Sequence, residues 1–154
     1  MMSLSCDVIK KLAGKTLVTA ESCTGGGIGA ALTAVPGSSA VYKGGIISYT
    51  NEVKQNLLSV DEQTLADFGA VSEPVAIQMA KGAKAALQAD IALSVTGLAG
   101  PAGDEYGNPV GTVFIGYCDE QKAYAKKFCF SGDREAVRTQ AINAAFEILL
   151  SELQ

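Results

Sequence analysis

Two short apolar runs pass directly into glycine-rich turns, and they constrain this chain more than any other feature. Thr16 to Ala20 (TLVTA) reads as a buried strand that breaks at ESCTGGG (21–27), after which a helix runs from Ile28 to Val35 and stops at Pro36-Gly37. Ile91 to Thr96 (IALSVT) is a second buried strand, and it enters GLAGPAGDEYGNPVG, too dense in Gly and Pro for regular structure. Between them the spacing predicts a strand over Gly45–Tyr49, short helices over Asn51–Leu58 and Asp61–Phe68, and a longer helix capped by Ser72. Val75, Met79, Ala83, Ala86 and Leu87 form the apolar stripe of that helix. A helix over Leu4–Leu12 precedes the first strand, with Ser3 or Ser5 as cap. Thr112–Cys118 and Ala123–Phe130 pair as a hairpin, with Cys118 opposite Ala123, and a last helix runs from Asp133 to Leu153. The expected fold is a single three-layer α/β/α domain over residues 1–154. Its sheet is mixed and mostly parallel, closed by the hairpin and the final helix.

The 154 residues contain no histidine. Every mechanism resting on imidazole is thereby excluded, from Ser-His-Asp triads to HExxH zinc sites, and acid-base chemistry must use carboxylate, Lys, Tyr or Cys. The four cysteines, Cys6, Cys23, Cys118 and Cys129, make no C-x-x-C pair, so no metal is expected. A net charge of −4 and the lack of a polybasic run argue against nucleic acid and against an anionic membrane surface. No apolar run approaches the ~20 residues of a membrane helix and no signal peptide is visible, so cytoplasmic residence with reduced thiols is expected.

Three segments gather small polar residues near strand ends: ESCTGGG, PGSSAVYKGG (36–45) and TGLAGPAG (96–103). Ligands of open α/β sheets bind outside the carboxyl ends of the strands, so these segments are the place to look. Thr24, Gly25 and Gly26 open a helix and are expected to cradle an anion with backbone N–H groups. Gly25, Gly27 and Ala30 also satisfy G-x-G-x-x-A, a weak match in a glycine-rich run. Cys23 reads as a small buried filler. A serine nucleophile without histidine needs another base, and a buried, neutral lysine can serve. Ser38, Ser39, Lys43, Tyr49 and Lys54 are the candidates, and spacing alone does not choose among them. Arg134 and Arg138, four apart on the last helix, could share a face and clamp an anion.

Taken together, AESCTGG (20–26), PGSSAVYKGGIISYTNEVK (36–54), GAVSEPVA (69–76), VTGLAGP (95–101), PVGTV (109–113) and SGDREAVR (131–138) stand in the order of the CinA C-terminal-domain family. The chain resembles its nicotinamide-nucleotide amidases of the PncC type over nearly all its length from Thr16. The resemblance implies hydrolysis of nicotinamide mononucleotide to nicotinate mononucleotide and ammonia, recycling pyridine nucleotide without cofactor or metal. It implies Ser39 as nucleophile, Lys54 as base and Tyr49 as its helper. Glu21, Ser22, Thr24, Gly25, Gly26, Thr96, Gly97 and Arg134 are the expected substrate contacts. A non-catalytic nucleotide-binding module of the same fold is the alternative. The partner expected is the small nucleotide, and self-association into a homo-oligomer is left open.

Overall fold

A computed structural model describes residues 3–154. Ser3 accepts the Cys6 N–H and opens α1 (Leu4–Leu12), which leads into β1 (Leu17–Glu21) and α2 (Gly27–Thr33). A 3-10 turn, Ser38–Ala40, precedes β2 (Tyr42–Ile47). Three helices follow: α3 (Asn51–Leu58), α4 (Glu62–Phe68) and α5 (Glu73–Leu87). The chain closes with β3 (Ile91–Gly97), β4 (Thr112–Cys118), β5 (Ala123–Cys129) and α6 (Arg134–Glu152).

The five strands form one sheet in the order β2-β1-β3-β4-β5. β1 runs parallel to both β2 and β3, whereas β4 is antiparallel to β3 and β5 to β4. The expected three-layer architecture is therefore present, and Cys118 does face Ala123 across the hairpin. All four cysteines are free.

Strand alternation divides the core. Leu17, Ile91, Leu93, Val95, Val113 and Ile115 pack under α1, α2 and α6. Val18, Ala20 and Ala92 face the other way, against Val75, Met79, Ala80 and Ala83 of α5 and Leu58 of α3. The parity continues past the ladder of β1. Glu21 points toward α2, and Ser22, whose N–H still bonds the Val95 carbonyl, turns toward the α3 layer.

Several boundaries shift by one residue from the sequence reading, and the larger differences fall around β2. α2 ends at Thr33, two residues early, and β2 starts at Tyr42 and stops at Ile47, so Tyr49 lies in a loop. On α5 the buried face is Val75, Ala76, Met79, Ala80 and Ala83, while Ala86 is exposed. The reason is close docking at the helix N-terminal half. Ser94 Oγ donates to the Ala76 carbonyl at 2.6 Å, and a Cβ on Gly116 would stand 2.6 Å from that same oxygen. This contact brings Ala76 and Ala80 onto the sheet, whereas Ala86, in the last turn on the same face as Met79, borders an open groove with Leu57, Leu58 and Gly82.

Gly82 lets the end of α3 approach α5, because a Cβ there would overlap the Leu58 carbonyl. Backbone cannot yield as a flexible side chain can. Gly82→Ala is expected to lower stability by about 1–3 kcal/mol, despite alanine's better helix propensity, as read from the midpoint of urea unfolding.

Candidate active site

The carboxyl ends of β1 and β3 open into a cleft of about 300 Å³, lined by Ser22, Cys23, Tyr49, Lys54, Ala70, Val71, Thr96, Gly97, Leu98, Ala99, Gly100, Ala102 and Arg134. Its floor is the pair Ser22 and Lys54. Thr50 caps α3 by accepting the Val53 N–H, and one turn later Lys54 sends its side chain inward, only 1% exposed. Its Nζ donates to the Ser48 carbonyl at 2.7 Å, to Ser22 Oγ at 3.2 Å and to the Tyr49 carbonyl at 3.4 Å. These three acceptors match the three N–H bonds of an ammonium. Burial pulls the Lys54 pKa down to about 8. The neutral amine keeps two N–H bonds, enough for the two carbonyls, and its lone pair is then free to accept the Ser22 hydroxyl proton. Burial acts oppositely on the neighbouring Cys23 thiol and pushes it up to about 11, so Cys23 stays protonated and unreactive.

Glu21, expected among the substrate contacts, is buried and does not line the cleft. Its buried carboxylate accepts the Thr24 hydroxyl at 2.7 Å and the Ile28 and Gly29 N–H groups at 2.9 and 3.0 Å, with the Thr19 hydroxyl at 3.3 Å. The anion expected at the start of α2 is thus internal to the chain. Thr24 is fully buried, and neither it nor Gly25 and Gly26 lines the cleft, so the turn expected as a phosphate cradle stands apart from Ser22 and Lys54.

The mouth is spanned by Arg134 at the start of α6. It donates from Nη1 to the Gly100 carbonyl at 2.6 Å and from Nη2 to the Tyr49 hydroxyl at 3.2 Å. Thr96 and Gly97 form part of the wall. Thr96 Oγ1 donates to the Ala70 carbonyl, and Gly97 is glycine because a Cβ would press into Val113 and the Thr112 carbonyl of β4. Arg138, one turn beyond Arg134, does not join it. Its guanidinium donates to the carbonyls of Cys23 and Thr24 at 3.0 and 3.1 Å.

Ser39 is kept apart from Lys54. It lies exposed in the 3-10 turn before β2, whereas Tyr49 and Lys54 follow the other end of that strand. Six residues at about 3.3 Å each put roughly 20 Å between the two ends. A nucleophile must reach its base within one hydrogen bond, so Ser39 does not fit that role. Lys43 is likewise remote and donates to the Gln88 carbonyl. The Tyr49 hydroxyl bonds Arg134 rather than Lys54, and only the Tyr49 backbone carbonyl touches the lysine. Six of the expected residues therefore converge: Ser22, Tyr49, Lys54, Thr96, Gly97 and Arg134. Leu98, Ala99, Gly100 and Ala102 fall within the expected TGLAGPAG segment, whereas Ala70 and Val71 lie outside the three segments, because apolar loop residues carry no chemical signature.

A second cavity, about 380 Å³, opens at the opposite end of the sheet near Lys15, Asp90, Tyr117 and Glu152. Its acidic groups have partners: Glu152 pairs with Lys122 at 2.6 Å and accepts the Tyr124 hydroxyl at 2.7 Å, Asp119 accepts the Tyr117 hydroxyl at 2.7 Å, and Asp90 accepts the Thr16 N–H at 2.8 Å. Among the described residues no group of three or more potential ligands could hold a metal ion. No helix among them is long and apolar enough to cross a membrane.

The chain matches the model of the CinA C-terminal domain over residues 2–153. It is 46% identical over 140 residues to the nicotinamide-nucleotide amidohydrolase PncC of Escherichia coli (strain K12), covering 90% of this chain and 85% of that one. It is 47% identical over 139 residues to a CinA-like protein of Endomicrobium trichonymphae, again over 90% of this chain, but it spans only 32% of that longer relative. Among solved structures, competence damage-inducible protein A from Klebsiella pneumoniae superposes with a TM-score of 0.95 at 41% identity, covering 97% of this chain and 94% of the other. The competence/damage inducible protein CihA from Agrobacterium tumefaciens gives 0.94 at 38% identity, over 98% of this chain and 94% of that one. With agreement in sequence and fold over nearly its whole length, this chain belongs to the CinA C-terminal domain family.

Proposed function

We propose that this chain is a serine amidohydrolase that deamidates nicotinamide mononucleotide, with Ser22 as nucleophile and Lys54 as general base. The observation that carries the reading is the hydrogen bond between Lys54 Nζ and Ser22 Oγ on the floor of the cleft. The neighbouring PncC relatives supply the substrate class, since they are named as nicotinamide-nucleotide amidohydrolases. The cationic mouth fits an anionic nucleotide. Arg134 is exposed and can turn a bidentate face to a phosphate, although the whole chain carries a net charge of −4.

In this reading Ser22 Oγ attacks the carboxamide carbon as neutral Lys54 takes its proton. The tetrahedral intermediate then collapses. Lys54 returns the proton to the departing nitrogen, ammonia leaves, and the nicotinoyl group remains esterified to Ser22. Water, activated by the same amine, attacks the ester and releases nicotinate mononucleotide. Tyr49 contributes its carbonyl to the orientation of Lys54 and its phenol to the position of Arg134.

Ammonia release from nicotinamide mononucleotide tests the assignment. Ser22→Ala is expected to lower kcat at least about 1,000-fold, while Ser39→Ala stays within about twofold of wild type. The reverse pattern would restore Ser39. A folded wild type that binds the nucleotide without releasing ammonia would make the chain a binding module instead.

The lowered pKa of Lys54 fixes the pH dependence. The base must be neutral, and near pH 7 only roughly a tenth of the molecules meet that requirement. Activity should therefore rise from about pH 6 and level off above about pH 8, the pKa of the buried amine. Arginine cannot lose its proton in this range, so Lys54→Arg should be inactive across the whole profile. A pH-independent wild type would count against lysine as base.

A further inference from the structure

Ser22 opens a four-residue turn, closed by the Gly25 N–H donating to the Ser22 carbonyl at 3.0 Å. The next two carbonyls, of Cys23 and Thr24, both accept from Arg138. Three successive carbonyls are thereby engaged within the turn or toward α6. In a trans peptide the N–H points opposite to the carbonyl, so the Cys23 N–H is turned away from the Ser22 carbonyl. Apart from the sulfur of its own side chain, that N–H meets no acceptor among the described residues, and Cys23 lines the cleft beside Ser22. The turn is not comfortable by itself. Thr24 is fully buried, and its N–H also meets no acceptor among the described residues, a rare and costly state. An external clamp must hold such a turn, and the guanidinium supplies it from a different element.

We propose that Arg138 is a positioning residue: it grips the Cys23 and Thr24 carbonyls so that the Cys23 N–H stays presented to the oxyanion that forms when Ser22 attacks. This rests on the amidohydrolase reading of the site. Arg138 touches no reacting atom in this account. Its two bonds fix the turn and so preorganise the donor before substrate arrives.

The test compares wild type, Ser22→Ala, Arg138→Met and Arg138→Lys as full-length proteins, each checked by thermal unfolding. Arg138→Met is expected to lose about 100-fold in kcat for nicotinamide mononucleotide with KM within threefold, and millimolar guanidinium should restore part of that loss. A second readout needs no nucleotide. A fluorophosphonate forms an O–P bond to Ser22, expels fluoride and passes the serine proton to Lys54, and this labelling should slow in parallel. If Ser22→Ala keeps wild-type turnover, Ser22 is not the nucleophile, and the reading of the site on which the positioning role rests falls. If Ser22→Ala is inactive while folded Arg138→Met keeps kcat, or changes only KM, the positioning role falls and the assignment stands. Should Arg138→Met fail to fold, Arg138→Lys decides. A folded lysine variant with kcat lowered at least tenfold at constant KM sustains the role, and one within threefold of wild type overturns it.

Discussion

The buried carboxylate of Glu21 governs the arrangement at the end of β1. It satisfies the Ile28 and Gly29 N–H groups of α2 and the hydroxyl of Thr24, and so ties strand, turn and helix into one unit. A buried carboxylate is costly unless its lone pairs are filled, and here four donors fill them. With Glu21 committed to the α2 side, strand parity commits Ser22 to the other. The glycine-rich turn therefore has a structural task. It lets α2 start close enough for its N–H groups to reach Glu21, and Gly29 must lack a Cβ because the Tyr42 hydroxyl lies 2.7 Å from where one would sit.

The fold was legible because its signals are local. Strand runs, caps and the Pro36-Gly37 stop each act within a few residues, and the hairpin register follows from its short turn. The misplaced details were set by contacts distant in sequence. Ala76 joined the buried face of α5 because Ser94 and Gly116, on two strands, draw its carbonyl onto the sheet, and Ala86 left it because the last turn of the helix borders an open groove. No periodicity within α5 contains that information.

The site was legible as a set of segments but not as a set of roles. ESCTGGG and TGLAGPAG both supply cleft residues, as strand-end turns should. Yet Glu21 and Ser22, adjacent in sequence, face opposite layers, and only one of them meets Lys54. Counting in twos from Val18 and Ala20, which face α5, assigns Ser22 to the α3 side, so the signal was present in the strand itself. Ser39 stands apart from Lys54 for a plainer reason. It precedes β2, and any strand carries its two flanking loops to opposite ends of the sheet. The choice between Ser22 and Ser39 is thus a matter of which end of a strand a residue occupies.

The absence of histidine gives the burial of Lys54 its meaning. Imidazole titrates near neutrality without help, whereas an amine has to be desolvated before it is a useful base near pH 8. Desolvation disfavours the charged form. Between the lowered pKa and the ordinary value of 10.5, the unfolded chain binds more protons at this position than the folded one. Stability contributed here therefore rises with pH across that window and is lowest where the folded amine is fully protonated. The carbonyls of Ser48 and Tyr49 limit the penalty by accepting two N–H bonds in either state, and they also aim the remaining valence at Ser22. The same two contacts that make the buried amine tolerable hold its lone pair on the serine. That coupling explains why Lys54 stands on α3 directly after the loop that carries both carbonyls, a placement that an exposed lysine would not require.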